Sequence, residues 1–273
     1  MKIHLITTDE SVFQLFDTLA GRVEVSYIIV PSNRRASEKI ARVRAEACRR
    51  GIAVAQHQAG CRFDVSLPPA QAAVSWLYSQ LIKNEDLLRY PSGILNMHGG
   101  KIPDYRGASV LHWAMLNGES ELGITWHEMV EEVDAGMIRA ETAIPIPPEA
   151  TALEMRQAMI QAAIALFPLA WERFLAKSGG RWPDLAGGRV WPQRRPDDGL
   201  IPPGLTVRQL RDMIRTLCPP WPPAFVEQEG ERLAVARLAL SPVAGAVVYH
   251  TVDGVMVYLV PVTSGLPSKI SRI

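Results

Sequence analysis

Five short apolar runs open the chain, at Lys2–Thr7, Val23–Val30, Ile52–Ala55, Ala72–Leu77 and Gly93–Met97. Between them lie segments of helical period or of turn residues. Ser11–Ala20 carries Val12, Leu15, Phe16 and Leu19 at helical spacing, and Ser37–Arg50 carries Ile40, Val43 and Ala47 between a capping serine and Gly51. A further short helix is expected over Asn84–Arg89 with Asn84 as cap. Continuous apolar strands alternating with helices demand cover on both faces of a sheet. This predicts an α/β fold: a Rossmann-like, mainly parallel sheet with helices on both faces.

The second half continues with a helix at Ala108–Asn117 and strands at Leu122–Val130 and Met137–Ile146. A long helix follows at Thr151–Lys177, where Thr151 and Glu154 have capping-box spacing. Glycines and prolines then crowd the residues after Ser178. A helix at Thr206–Leu217 and four strand-like runs, from Ala224 to Val260, form a small C-terminal helix-plus-β subdomain. The expected organisation is a catalytic domain over residues 1–178, a linker over 179–205 and a C-terminal domain over 206–273.

The fifth run ends Asn96-Met97-His98-Gly99-Gly100. Residues two apart on a strand share a face, so Asn96 and His98 project together. Glycines beside them let another molecule approach the backbone. Asp134 follows in a Val-Asp-Ala-Gly turn.

Several chemistries are excluded. No glycine-rich phosphate loop follows the first strand, which continues Thr7-Thr8-Asp9-Glu10-Ser11, and no Walker-type motif occurs. The histidines are spread over separate elements without metal-ligand spacing, so no metal is expected. A G-x-S-x-G elbow is missing. A net charge of +1 gives no electrostatic reason to bind nucleic acid or anionic lipid. Cys48, Cys61 and Cys218 form no disulfide framework, and Met1–Thr7 turns polar too early for a signal peptide, so a cytoplasmic location is expected. No apolar run approaches the roughly 20 residues of a membrane span, and Ala158–Ala170 is expected to be a buried helix.

What remains is an amide, an imidazole and a carboxylate. Asn96 can donate to a developing oxyanion without titrating. His98 can donate to the same oxygen or shuttle protons near neutrality. Asp134 can orient the imidazole, raise its basicity and accept a proton from an attacking nucleophile. No residue is an obvious covalent nucleophile, so the set suits direct acyl transfer between two bound substrates.

The segments Asn96-Met97-His98-Gly99-Gly100-Lys101-Ile102-Pro103-Asp104-Tyr105-Arg106-Gly107, Gly123-Ile124-Thr125-Trp126-His127 and Asp134-Ala135-Gly136 resemble the formyltransferase family that uses 10-formyltetrahydrofolate. The resemblance is strongest from Val74 to Ile146. It resumes at Pro192-Gln193-Arg194-Arg195-Pro196-Asp197-Asp198-Gly199-Leu200-Ile201, at Ile214-Arg215-Thr216-Leu217 and at Pro220-Trp221-Pro222-Pro223-Ala224-Phe225, where it is similar to the sugar N-formyltransferases and, in part, to the tRNA enzyme. Many members carry Ser-Leu-Leu-Pro where this chain has Gly100-Lys101-Ile102-Pro103.

The resemblance implies catalytic roles for Asn96, His98 and Asp134. It implies a folate co-substrate held by two loops, one contributing Tyr78, Ser79, Gln80, Leu81 and Ile82, the other Val130 and Val133, with much of the recognition by backbone groups. Trp76, Lys101, Arg106 and His127 are candidates for substrate contact; for Arg106 the competing reading is a local ion pair with Asp104. The cluster Arg34, Arg35, Lys39, Arg42, Arg44, Arg49 and Arg50 could meet a phosphate, but a solvated helix face is the simpler reading.

The implied reaction moves a formyl group to a primary amine, foremost that of a nucleotide-linked amino sugar. Rival acceptors are an N-hydroxyornithine-type or other natural-product amine, and methionyl-tRNA, against which the absence of a basic C-terminal domain argues. Outside amine transfer stand a formyltetrahydrofolate hydrolase and a non-catalytic folate or nucleotide binder. No membrane partner is expected, and a homodimer is compatible with this reading.

Overall fold

The computed structural model describes residues 1–19, 21–32 and 37–262. Arg34 and Arg35 of the basic cluster lie outside them. In chain order the elements are β1 (Lys2–Thr7), α1 (Val12–Asp17), β2 (Glu24–Pro31), α2 (Ser37–Arg49), β3 (Ala53–His57), β4 (Ala72–Trp76), α3 (Asn84–Leu87), β5 (Ile94–His98), β6 (Arg106–Gly107), α4 (Val110–Leu116), β7 (Glu121–Glu128) and β8 (Ile138–Pro145). They continue with α5 (Ala152–Leu175), β9 (Val190–Trp191), α6 (Val207–Thr216), β10 (Phe225–Gln228), β11 (Glu231–Ala239), β12 (Val247–His250) and β13 (Met256–Pro261).

Seven strands form one sheet in the order β3-β2-β1-β4-β5-β7-β8. β1 to β5 run parallel, as continuous apolar strands joined by helices require, and β7 is antiparallel to β5. Strand order reverses between β1 and β4, the kind of point where open α/β sheets leave a crevice at the strand C-termini. On one face Ile6, Ile29, Ala73 and Ile94 pack with Phe63, Leu67 and Tyr90. Trp126 stacks on Trp76 at 5.8 Å and meets Phe167 of α5 at 4.9 Å.

The chain divides into two compact units that interleave in sequence: Met1–Gly107, Gly123–Ile144 and Ala158–Val190 in the first; Ala108–Leu122, Pro145–Gln157 and the chain from Trp191 onward in the second. Compositional breaks at 178 and 205 do not trace this interleaving, because α4 and the start of α5 join the second unit through packing. In that unit an antiparallel sheet, β10-β11-β13-β12, covers α6. Leu210, Met213 and Ile214 of α6 and its C-cap residue Leu217 are buried with Val235, Val257 and Leu259. Each such side chain contributes roughly 1.5–3 kcal/mol of burial. Thr206 and Gln209 cap α6 reciprocally: the Gln209 N–H donates to Thr206 Oγ1 at 3.2 Å and the Thr206 N–H to Gln209 Oε1 at 2.9 Å. In the same unit Trp113 stacks on Trp191 at 5.1 Å, and His112 stands edge-on to Trp221 at 4.7 Å.

One local expectation fails. Asn84 is the first residue of α3 and Lys83 its cap, without a side-chain capping bond. By length and composition α5 could cross a bilayer, yet its inner positions, among them Met159, Ala163, Phe167 and Phe174, are core. The Trp126 Nε1–H donates to the Ala163 carbonyl at 2.9 Å. Most of the described charges of the basic cluster are matched: Arg42 pairs with Glu38 and Glu10, Arg49 with Glu46, Arg50 with Asp17 and Glu46, and Lys39 with Asp9.

Candidate active site

The site is assembled at the C-terminal end of β5. Ile94 packs in the core, and the strand's two-residue period carries Asn96 and His98 out along that face. Antiparallel pairing then decides their neighbour, because β7 aligns His127 opposite Asn96 and Thr125 opposite His98. The loop after β7 brings Asp134 back beside both histidines. Asp134 Oδ2 lies 3.5 Å from His98 Nδ1, and Oδ1 lies 3.3 Å from His127 Nε2.

That loop is tight. Asp134 has a left-handed backbone with φ +48°, which costs a non-glycine residue and is kept only where surroundings enforce it. A Cβ on Gly136 would collide with the Glu128 carbonyl, so only glycine closes the loop onto β7.

Hydrogen bonds fix the proton positions. The His98 Nε2–H donates to the Tyr105 carbonyl, which leaves Nδ1 facing Asp134. The His127 Nδ1–H donates to the Glu128 carbonyl at 2.9 Å. His127 Nε2 sits 3.0 Å from Asn96 Nδ2, so it either accepts from that amide or donates to Asp134. The Gly107 N–H donates to Asp134 Oδ2 at 2.7 Å.

Burial pushes the His98 imidazole below its ordinary range, opposed by Asp134 and by the Tyr105 carbonyl. Burial alone would raise the Asp134 carboxyl. The two imidazoles and the Gly107 N–H outweigh it and hold Asp134 below the usual carboxylate range. The site therefore offers an ionised carboxylate, a largely buried imidazole and a half-buried amide. It has no nucleophile of its own but is equipped to bind an oxyanion and to move a proton.

The residues expected for substrate contact separate. Trp76 is fully buried and donates from Nε1 to Ser11 Oγ at 2.9 Å, so it is a core residue. His127 is 1% exposed with both ring nitrogens engaged, and it serves Asn96 and Asp134 instead of reaching a ligand. Arg106 is also buried. It pairs with Glu132, not Asp104, and Asp104 pairs with exposed Lys101 at 3.7 Å.

In the first of the expected folate loops, the Tyr78 hydroxyl donates to His57 Nδ1, since His57 Nε2–H is committed to the Cys61 carbonyl at 3.0 Å. The Thr8 hydroxyl lies 3.5 Å from Ser79 Oγ, Gln80 and Ile82 are half-buried, and Leu81 is 78% exposed. In the other loop Val130 is half-buried, while Val133 is exposed with its carbonyl held by Arg106. Among the described residues no three His, Cys, Asp or Glu side chains gather as ligands for a metal ion. Sequence reasoning missed the Tyr105 carbonyl, the Gly107 N–H and His57. The first two are backbone groups, which carry no residue signature.

The formyl transferase family model matches residues 20–170. That is more than half of the chain, and the chain belongs to this family. Its fold is similar to that of the N-formyltransferase from Helicobacter canadensis solved in complex with folinic acid and dTDP-3-aminofucose, with a TM-score of 0.72, 14% identity and coverage of 96% of this chain and 100% of that one. It is similar to a 4-N formyltransferase from Francisella tularensis, with a TM-score of 0.70, 18% identity and coverage of 89% and 98%. The methionyl-tRNA formyltransferase from Clostridium thermocellum follows with a TM-score of 0.60, 16% identity and coverage of 96% and 100%. The protein is thus an enzyme, a formyltransferase.

Proposed function

We propose that this enzyme transfers the formyl group of 10-formyltetrahydrofolate to the primary amine of a nucleotide-linked amino sugar. The observation that carries the chemistry is the convergence of Asn96, His98, His127 and Asp134 at the end of β5. The amine attacks as its free base. Asn96 donates to the oxyanion of the tetrahedral intermediate, and His98, its Nε2–H held by the Tyr105 carbonyl, adds stabilisation once Nδ1 carries a proton. The new N–C bond leaves the amine nitrogen cationic, and the ionised Asp134 stabilises that charge.

A carboxyl held so acidic stores a proton poorly, so Asp134 relays the amine proton onward. His98 or a water returns a proton to the folate nitrogen as the C–N bond to the carrier breaks. The folate would lie against residues 78–82 and 130–133, where exposed Leu81 and half-buried Val130 offer apolar surface to a planar ring. No metal is required by this scheme.

Two features support the sugar acceptor. The Pro192–Ile201 segment resembles the corresponding region of sugar N-formyltransferases, and the Helicobacter canadensis enzyme was solved with dTDP-3-aminofucose. Lys101, exposed beside the site, is the remaining candidate for contact with the acceptor's phosphates.

The test mixes the protein with 10-formyltetrahydrofolate and a panel of amines, and follows the appearance of tetrahydrofolate. The proposal expects turnover with nucleotide-linked amino sugars only. Turnover without any amine would reveal a hydrolase. Preference for methionyl-tRNA or an N-hydroxyornithine-type amine would overturn the acceptor while leaving the transfer chemistry intact.

A further inference from the structure

Arg106 is 5% exposed, and its guanidinium grips the loop that carries Asp134. Its Nε–H and Nη2–H converge on the Val133 carbonyl at 2.8 and 2.6 Å, and Nη2–H also meets Glu132 Oε1 at 2.6 Å. The next residue in sequence bonds the other side of the same loop, through the Gly107 N–H on Asp134 Oδ2 at 2.7 Å. Gly107 takes φ +95°, a conformation that suits glycine. The dipeptide is itself anchored, because the Arg106 N–H donates to the Arg189 carbonyl at 3.1 Å.

The Val133 carbonyl belongs to the peptide plane that leads into Asp134. Fixing that plane sets one side of the Asp134 φ torsion and so restrains its left-handed value of +48°. A lysine cannot replace this clamp, because an ammonium on a flexible stem does not present a rigid pair of N–H groups to one acceptor.

We infer that Arg106 is a positioning residue: with Gly107 it clamps the Val133–Asp134 peptide and so sets where the Asp134 carboxylate stands relative to His98. The inference rests on Asp134 serving the transfer proposed above.

Arg106→Lys tests it, since the positive charge near His98 is retained and only the fork is lost. Misplacement of a reacting group by about 1 Å can cost roughly 100-fold, so kcat is expected to fall by about that factor, with KM for the folate near that of the parent. In an Asp134→Asn background the same change is expected to cost almost nothing further, because the group it positions is already gone. Titration of His98 followed by NMR adds a readout independent of turnover. As the Asp134 carboxylate drifts, the attraction that raises the His98 pKa weakens, and the pKa falls further. A loss that repeats in full in the Asp134→Asn background, or a raised KM for the amine at unchanged kcat, would overturn the clamp in favour of substrate contact. Lower thermal stability with unchanged kcat and His98 titration would reduce Arg106 to a structural residue. If the parent enzyme transfers nothing to any amine, the proposed reaction fails, while the His98 titration still decides the clamp.

Discussion

Gly99 and Gly100 stand side by side after β5, yet an added methyl group should have opposite consequences at the two positions. At Gly100 a Cβ would stand 2.7 Å from His98 Nε2 and 3.0 Å from Tyr105 Cβ, and would overlap the Tyr105 carbonyl. These are the atoms joined by the His98–Tyr105 hydrogen bond. The backbone has little room to retreat, because the Gly100 carbonyl accepts from Thr125 Oγ1 at 2.9 Å. Overpacking of this kind costs about 1–3 kcal/mol of stability. If the imidazole yields instead, an unmade buried hydrogen bond costs about 1–3 kcal/mol, and displacement of His98 costs roughly 100-fold in kcat. At Gly99 a Cβ would meet Met159 Sδ first. A thioether on three rotatable bonds can move aside, so the cost there should stay below about 1 kcal/mol. Thermal melts and formyl-transfer kinetics on Gly99→Ala and Gly100→Ala provide the comparison. Near-parental activity is expected for the first and a loss of about two orders of magnitude for the second. Gly100→Ala with parental kcat, or two equally impaired variants, would refute the view that His98 is held in place by Tyr105.

Other outcomes are expected. Asn96→Ala removes an oxyanion donor and should lower kcat by roughly 100- to 1,000-fold with the fold intact; a variant within a few-fold of parental kcat would remove Asn96 from the mechanism. Burial drives His4 and His112 from 6.5 down to about 4, so their unfolded forms bind protons that the fold excludes. Their contribution is complete above pH 6.5 and is lost as pH falls towards 4, by roughly 3 kcal/mol per histidine at the acid end. Denaturant melts across that range should show the loss, and His4→Gln should flatten its share of the slope; an unchanged slope would contradict the burial argument. Thr206→Ala deletes the cap of α6 and should cost about 1 kcal/mol in a denaturant melt without altering turnover.

How much of the site was legible before the fold was known differs residue by residue. Asn96 and His98 needed only the strand period, since a spacing of two puts side chains on one face wherever the strand ends up. Asp134 was reached through chemistry and family resemblance, not periodicity. Lys101 remains an exposed candidate. Trp76 belongs to the core instead, and its sequence neighbours do not reveal this, because Trp126, which stacks against it, lies fifty residues away.

Local sequence determined the parallel strands, the Thr206 and Thr151 caps and the shared face of Asn96 and His98, because each depends on side-chain spacing within a few residues. Tertiary structure alone decided the rest. The antiparallel register of β7 delivers His127 to Asn96, and a one-residue slip would have turned its imidazole to the other face. The interleaving of the two units and the grip of Arg106 on the residue before Asp134 likewise join positions far apart in the chain. Periodicity is a local property, whereas register and packing partners are set only when the whole sheet closes over its core.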